Sequence, residues 1–239
     1  MWGPFFMTKR RKIINIIAQV AIFGGLAAIL YCVPGLYFSL PVAPSFMTIH
    51  LDEIPILISG FAYGPIVALL ELLLKTGIKL MTGSITGCVG ELGDLMYSLA
   101  LIIPATWIYQ KHRNIKGAIL GVGIGVFANL IFTTIVNLYT IFPVYKASFG
   151  MKDGDIAGAF DAIYHWGVTS DGDIRIAVML LPFNLIKDTI VVGVTFICYK
   201  PLRFVIEKIN VRIPDKKKSE EVKIEEPKEV EENNEPKNE

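Results

Sequence analysis

Apolar runs broken by short polar or basic segments set the pattern of the chain. Residues 13–33 form one uncharged run and residues 117–145 another. Each is long enough to cross about 30 Å of hydrocarbon, which takes roughly 20 helical residues. Four further apolar segments carry only scattered charges. The pattern predicts six helices, at about 13–33, 52–62, 65–81, 91–109, 117–142 and 176–199. The second is short for a span and has Pro55 in its first turn, where proline is tolerated. Gly64-Pro65 turns it into the third. Residues 34–51 contain Pro34, Pro41 and Pro44, which exclude a helix, and the aromatic Tyr37, Phe38 and Phe46. A loop this long and apolar is expected to cover something. Residues 83–90 read as a Gly/Ser/Thr loop, 110–116 as a basic loop, and 143–175 as a long polar loop with five aspartates.

Composition sharpens the class. Of 239 residues, 53% are hydrophobic, well above the share in a soluble domain, and the mean hydropathy is +0.52. A single-pass anchor would leave a soluble remainder, and none stands before the tail. The fold class is therefore an all-α membrane protein, a bundle of six transmembrane helices. Lys9-Arg10-Arg11-Lys12 ahead of the first run resembles a signal peptide, but the run is long and no clear cleavage site follows, so it reads as a retained helix.

Charge orients the bundle. Lys9–Lys12, the basic 110–116 loop, and Lys200, Arg203 and Lys208 fall on one side, and the acidic 143–175 loop on the other. The positive-inside rule makes both termini cytoplasmic and predicts a multi-pass protein of the cell membrane. Residues 1–12 then form a cytoplasmic N-terminus, 13–205 the membrane domain, and 206–239 a Lys/Glu-rich, disordered cytoplasmic tail. Cys32, Cys88 and Cys198 are scattered, so neither a metal site nor a disulfide framework is expected. No nucleic-acid partner is expected either.

Polar residues inside apolar helices are costly and mark function or pairing. Glu71 and Lys75 share a helix face at i,i+4 and read as a structural pair. Asn184, Lys187 and Asp188 point to one side at i, i+3, i+4. Asn137 lies some six residues before Pro143, about 9 Å below the outer helix end at 1.5 Å per residue. Glu91 and Asp94 enter from the same side. These groups predict an outward-facing polar pocket lined by amides and charges, with 34–51 as its cover. Amides beside a cation suit a polar heterocycle bearing carbonyls and hydroxyls. Small residues Ala21, Gly24, Gly25 and Ala28 allow another helix to approach the first one closely. No zincin, hydrolase-elbow or P-loop motif occurs, so any ATP hydrolysis falls to another chain.

Four stretches carry a family resemblance: Phe46–Pro55 running into Gly60-Phe61-Ala62-Tyr63-Gly64-Pro65; Glu71-Leu72-Leu73-Leu74-Lys75; Val89-Gly90-Glu91-Leu92; and Asn137 through Pro143-Val144-Tyr145 with Asn184-Leu185-Ile186-Lys187. Over about residues 10–205 the chain resembles the substrate-binding membrane subunit (S component) of energy-coupling factor transporters, of the riboflavin type. The resemblance implies capture of riboflavin from outside, with a transmembrane coupling subunit and two cytoplasmic ATPases as partners. It implies no enzyme activity and no cofactor: riboflavin is the transported ligand, and ATP is used by the partners only. It places Asn137, Asn184 and Lys187 on the flavin, adds Phe46, Thr48, Glu91, Asp94 and Tyr145 as substrate-binding candidates, and makes Ala21, Gly24, Gly25 and Ala28 the partner-docking face. Asp52-Glu53, Thr76 and Asp94 depart from the family's usual residues. One alternative is the same subunit type for another vitamin or a flavin nucleotide. Another is a membrane enzyme acting on a lipid or isoprenoid, with Glu91 and Asp94 as an acid/base pair.

Overall fold

The structure is a computed structural model describing residues 9–44, 47–84 and 87–210, without the side chains of 9–12 and 199–210. The described residues are mostly helical. In order they are α1 (Lys9–Gln19), a π-helical turn (Val20–Gly24), α2 (Gly25–Cys32), β1 (Tyr37–Ser39), β2 (Thr48–His50), α3 (Glu53–Tyr63), α4 (Pro65–Thr82), α5 (Val89–Lys111), α6 (Ile115–Val136), a second π turn (Asn137–Ile141), α7 (Phe142–Phe149), α8 (Asp155–Tyr164) and α9 (Ile174–Asn210). Four stretches among the described residues are long and apolar enough to cross a membrane: Ile13–Cys32, Val89–Lys111, Ile115–Phe149 and Ile174–Cys198. α3 is too short for that count, and α4 carries Glu71, Lys75 and Lys79. Met1–Tyr199 is one compact unit and Lys200–Glu239 a second. Of the second, only the helical course of 200–210 is described, so most of the expected tail and residues 1–8 lie outside the described residues.

The polarity of the first unit is inverted relative to a soluble domain. Ile13, Ile17, Ile22, Phe127, Ile135 and Ile197 are exposed, while Glu53, Ser59, Lys75, Ser98 and Asp188 are fully or almost fully buried. A lipid solvent favours this arrangement, because an apolar exterior costs nothing there and polar groups must find partners inside. α5 and α6 pack backbone to backbone. A Cβ on Gly121 would lie 2.6 Å from the Ala105 carbonyl oxygen, and one on Gly125 would lie 2.4 Å from that of Leu101. The four-residue spacing of these glycines is the small-residue pattern that permits such an approach.

Three sequence expectations change. The fifth helix does not end before Pro143. That residue cannot donate to the i−4 carbonyl. The ladder instead widens into a π turn, with the Phe142 N–H on the Asn137 carbonyl, and α7 resumes with Pro143 in its first turn. The 143–175 segment is not a simple polar loop. It folds as the end of α7 and as α8, which buries Ile156, Ala157 and Phe160 against Phe142, Met179 and Leu180. Its aspartates satisfy backbone donors: Asp171 accepts from Ala157 N–H at 2.7 Å and Asp161 from Val168 N–H at 3.1 Å. Finally, the small-residue stripe of the first helix is divided. Gly24 and Ala28 are buried, and a Cβ on Gly24 would meet Leu74 Cδ2 at 3.0 Å and Glu71 Cα at 3.3 Å. Gly24 packs onto α4, and both residues are turned away from the helix's exposed surface. Ala21 is exposed, and nothing lies within 4 Å of a Cβ placed on Gly25.

The predicted cover over 34–51 contains an antiparallel hairpin pairing Tyr37 with His50, Phe38 with Ile49 and Ser39 with Thr48. Period-2 alternation turns Ile49 inward, fully buried beside Ala43 and Phe183. The Tyr164 hydroxyl at the end of α8 lies 2.8 Å from the Val42 carbonyl and 3.1 Å from that of Met179, so it ties this cover to α9.

Candidate functional site

Beneath the hairpin lies a cavity of about 680 Å³, within the range of small-molecule sites. The structure brings seven of the eight expected substrate-binding residues to its wall. Thr48 comes from β2, Glu91 and Asp94 from α5, Asn137 from the π turn, Tyr145 from α7, and Asn184 and Lys187 from α9. Phe46 lies outside the described residues. Besides the expected Tyr145 and the cover's Tyr37, the wall includes residues that sequence reasoning missed, the aromatic Tyr31, Tyr97, Phe142 and Phe183 together with His50. Only Tyr97 carried a signal, since it lies one turn beyond Asp94 at i+3. The others stand at helix ends (Tyr31, Phe142), on a strand (His50) or inside the long apolar run of α9 (Phe183), where spacing alone does not give the facing.

The amides are set by their own helices. Asn137 donates to the Thr133 carbonyl at 2.9 Å and accepts from the Tyr97 hydroxyl at 2.8 Å. The π turn displaces it from the regular ladder, a device frequent at functional sites. Asn184 donates to the Leu180 carbonyl at 3.1 Å. His50 stands between two rings, 4.6 Å from Tyr31 and 4.9 Å from Tyr37, with Nε2 at 2.9 Å from the Thr48 hydroxyl. Burial in this stack lowers its pKa to about 4, so the imidazole is neutral at physiological pH.

The charges form one network behind and along the wall. Lys187 Nζ sits 3.0 Å from Glu53 Oε1 and 3.8 Å from Asp94 Oδ1. Asp94 Oδ2 is 2.8 Å from Lys75 Nζ, which also pairs with Asp52. Asp188, beside Lys187 in sequence, instead receives both its hydrogen bonds from Asn129 Nδ2, at 3.0 and 2.9 Å. The expected Glu71–Lys75 pair is corrected. Lys75 reaches carboxylates on facing elements, while Glu71 accepts from Ser59 Oγ at 2.5 Å where α4 packs on α3. Glu91 accepts from Ser84 Oγ at 2.7 Å. Among the described residues, no three or more His, Cys, Asp or Glu side chains are grouped to hold a metal ion.

A ring-walled cavity with amides and charges set into its wall, inside an apolar helical shell, defines a membrane-embedded ligand-binding protein. The chain belongs to the family ECF transporter, substrate-specific component, whose model matches residues 15–199. It is similar to the riboflavin transporter RibU of Staphylococcus aureus, with 24% identity over 184 residues covering 77% of this chain and 89% of that one. The riboflavin transporter FmnP of Bacillus subtilis is 25% identical over 192 residues, covering 77% and 93%. RibU of Streptococcus thermophilus is 26% identical over 215 residues, covering 87% and 90%. The fold is similar to that of a solved S component of a bacterial ECF transporter, with a TM-score of 0.63 and 20% identity over 80% of this chain and 97% of that one.

Proposed function

We propose that this chain captures riboflavin from outside the cell as the substrate-binding membrane subunit of an ATP-driven energy-coupling factor transporter. The observation that carries the reading is the convergence of Asn137, Asn184 and Lys187 on one ring-walled cavity. A flavin offers a flat aromatic system with carbonyl and ring-nitrogen edges and a hydroxylated side chain. Rings such as Tyr97 and Phe142 supply surfaces for the flat system, while the amides and the ammonium supply hydrogen bonds to its edge. Three relatives named riboflavin transporters, each matched over at least 77% of this chain, support the same ligand.

In this reading α3 and α4 complete six spans within residues 13–205, both termini are cytoplasmic, and the hairpin and α8 face outside. The partners are a transmembrane coupling subunit and two cytoplasmic ATPases, which alone use ATP. The cavity wall sets Glu91 and Asp94 against Lys79 and Lys187, without the excess of cations that would favour a phosphorylated flavin over the neutral vitamin. The test is a fluorescence-quenching titration of purified protein with riboflavin, beside the mononucleotide. Saturable quenching, tighter for riboflavin, is expected. Quenching no greater than with an unrelated membrane protein would remove riboflavin as the ligand.

A further inference from the structure

Lys187 has a flexible four-carbon stem and an ammonium with three rotatable donors. Lining a cavity does not by itself aim such a group, so something must fix it. The neighbouring Asp188 does not, because both its oxygens accept from Asn129. Asp94 stands farther off at 3.8 Å, and its other oxygen is held by Lys75 at 2.8 Å. Glu53 is nearest, at 3.0 Å, and its Oε1 also accepts from Ser98 Oγ at 2.7 Å. Glu53 is 1% exposed and Ser98 fully buried, and neither is among the residues lining the cavity.

We infer that Glu53, itself held by Ser98, is the positioning residue that aims Lys187 into the cavity. The relay crosses three elements: a hydroxyl on α5 fixes a carboxylate at the start of α3, which fixes an ammonium on α9. Glu53 draws the ammonium against one side of the wall and leaves its remaining donors for Asp94 and a guest. Without that charge the nearest anion is Asp94, and Lys187 moves onto it. This inference rests on the proposed riboflavin site, and it assigns Glu53 and Ser98 an influence on affinity without contact to the ligand.

The experiment is a double-mutant cycle on riboflavin affinity, read by fluorescence quenching, with Glu53→Gln, Lys187→Met and the double variant. Glu53→Gln keeps the shape and an acceptor for Ser98 but removes the charge. It is expected to weaken binding about tenfold, and Lys187→Met about ten- to a hundredfold, as for loss of a charge-assisted hydrogen bond. If Glu53 acts through Lys187, the double variant binds within about twofold of Lys187→Met alone, the mark of coupled residues. A purely structural role would make the two losses multiply, or leave affinity unchanged while the ligand-free protein melts early, and either result overturns the inference. Ser98→Ala decides the matter should Glu53→Gln fail to fold. It should weaken binding in the wild-type background and not in Lys187→Met; equal losses in both would overturn the inference. A wild type that does not bind riboflavin defeats the site itself, whereas a binding wild type with multiplying losses defeats only the positioning role.

Discussion

At the scale of single residues, the two buried lysines have different work. Lys75 is fully buried and is not among the cavity-lining residues. It pairs with Asp52 and Asp94 and lies 4.7 Å from the Tyr31 ring centroid. Lys75→Met therefore leaves Asp52, 1% exposed, without its cation. A charge stranded in this way costs on the order of 3–5 kcal/mol, so the ligand-free protein should melt well below wild type. Lys187→Met likewise takes the cation from Glu53, also 1% exposed, which then keeps only the neutral Ser98 donor, while Asp94 keeps Lys75. Melting curves of both variants in detergent check this, and a Lys75→Met protein as stable as wild type would refute the prop. The i, i+3, i+4 spacing of Asn184, Lys187 and Asp188 made them visible in the sequence as one polar face. Their partners were not visible, because the pairs run between helices distant in sequence while spacing rules describe neighbours within one helix. The same limit misassigned Lys75 to Glu71.

At the scale of elements, the spans and the 34–51 cover were legible, and α8 and the π turn at Asn137 were not. Long apolar runs, uncharged or with a few scattered charges, announce helices through length alone, so α2, α5, α6 and α9 were expected near where they stand. α8 was hidden by its aspartates, which read as a polar loop but serve as acceptors for backbone donors around a short apolar face. The π turn at Asn137 was hidden because a proline normally signals a stop rather than a widening. α8 ends at Tyr164, whose hydroxyl ties the cover at Val42 to Met179 of α9. Tyr164→Phe removes that tie and keeps the ring. A neutral hydrogen bond contributes about 0.5–1.5 kcal/mol, so riboflavin release should quicken by roughly two- to tenfold with the fold intact. Stopped-flow release from the loaded protein measures it. An unchanged rate would show that the cover is held elsewhere.

At the scale of the whole molecule, a binding cavity within a shell of apolar helices accounts for capture but not for accumulation. Each tenfold of gradient costs about 1.4 kcal/mol, and the sequence contains no phosphate-binding loop to draw on ATP. The purified chain in liposomes should therefore bind riboflavin without concentrating it, and uptake should depend on a partner reaching an outer face of the bundle. The divided stripe of the first helix says which face to test. Ala21 is exposed and a Cβ on Gly25 meets nothing, so a tryptophan at either position projects away from the protein's own packing. Gly24 lies against the backbone of Glu71, so a tryptophan there strikes α4 itself. Ala21→Trp and Gly25→Trp should keep riboflavin affinity within about twofold while blocking close helix approach by a partner, and so abolish uptake in cells. Gly24→Trp should instead lower the stability of the isolated protein, as overpacking does, by about 1–3 kcal/mol or more. Titration, melting and cellular uptake on the three variants separate the two effects. Normal uptake with tryptophan at both Ala21 and Gly25 would move the docking face to another helix, and concentration of riboflavin by the chain alone would overturn the division of labour.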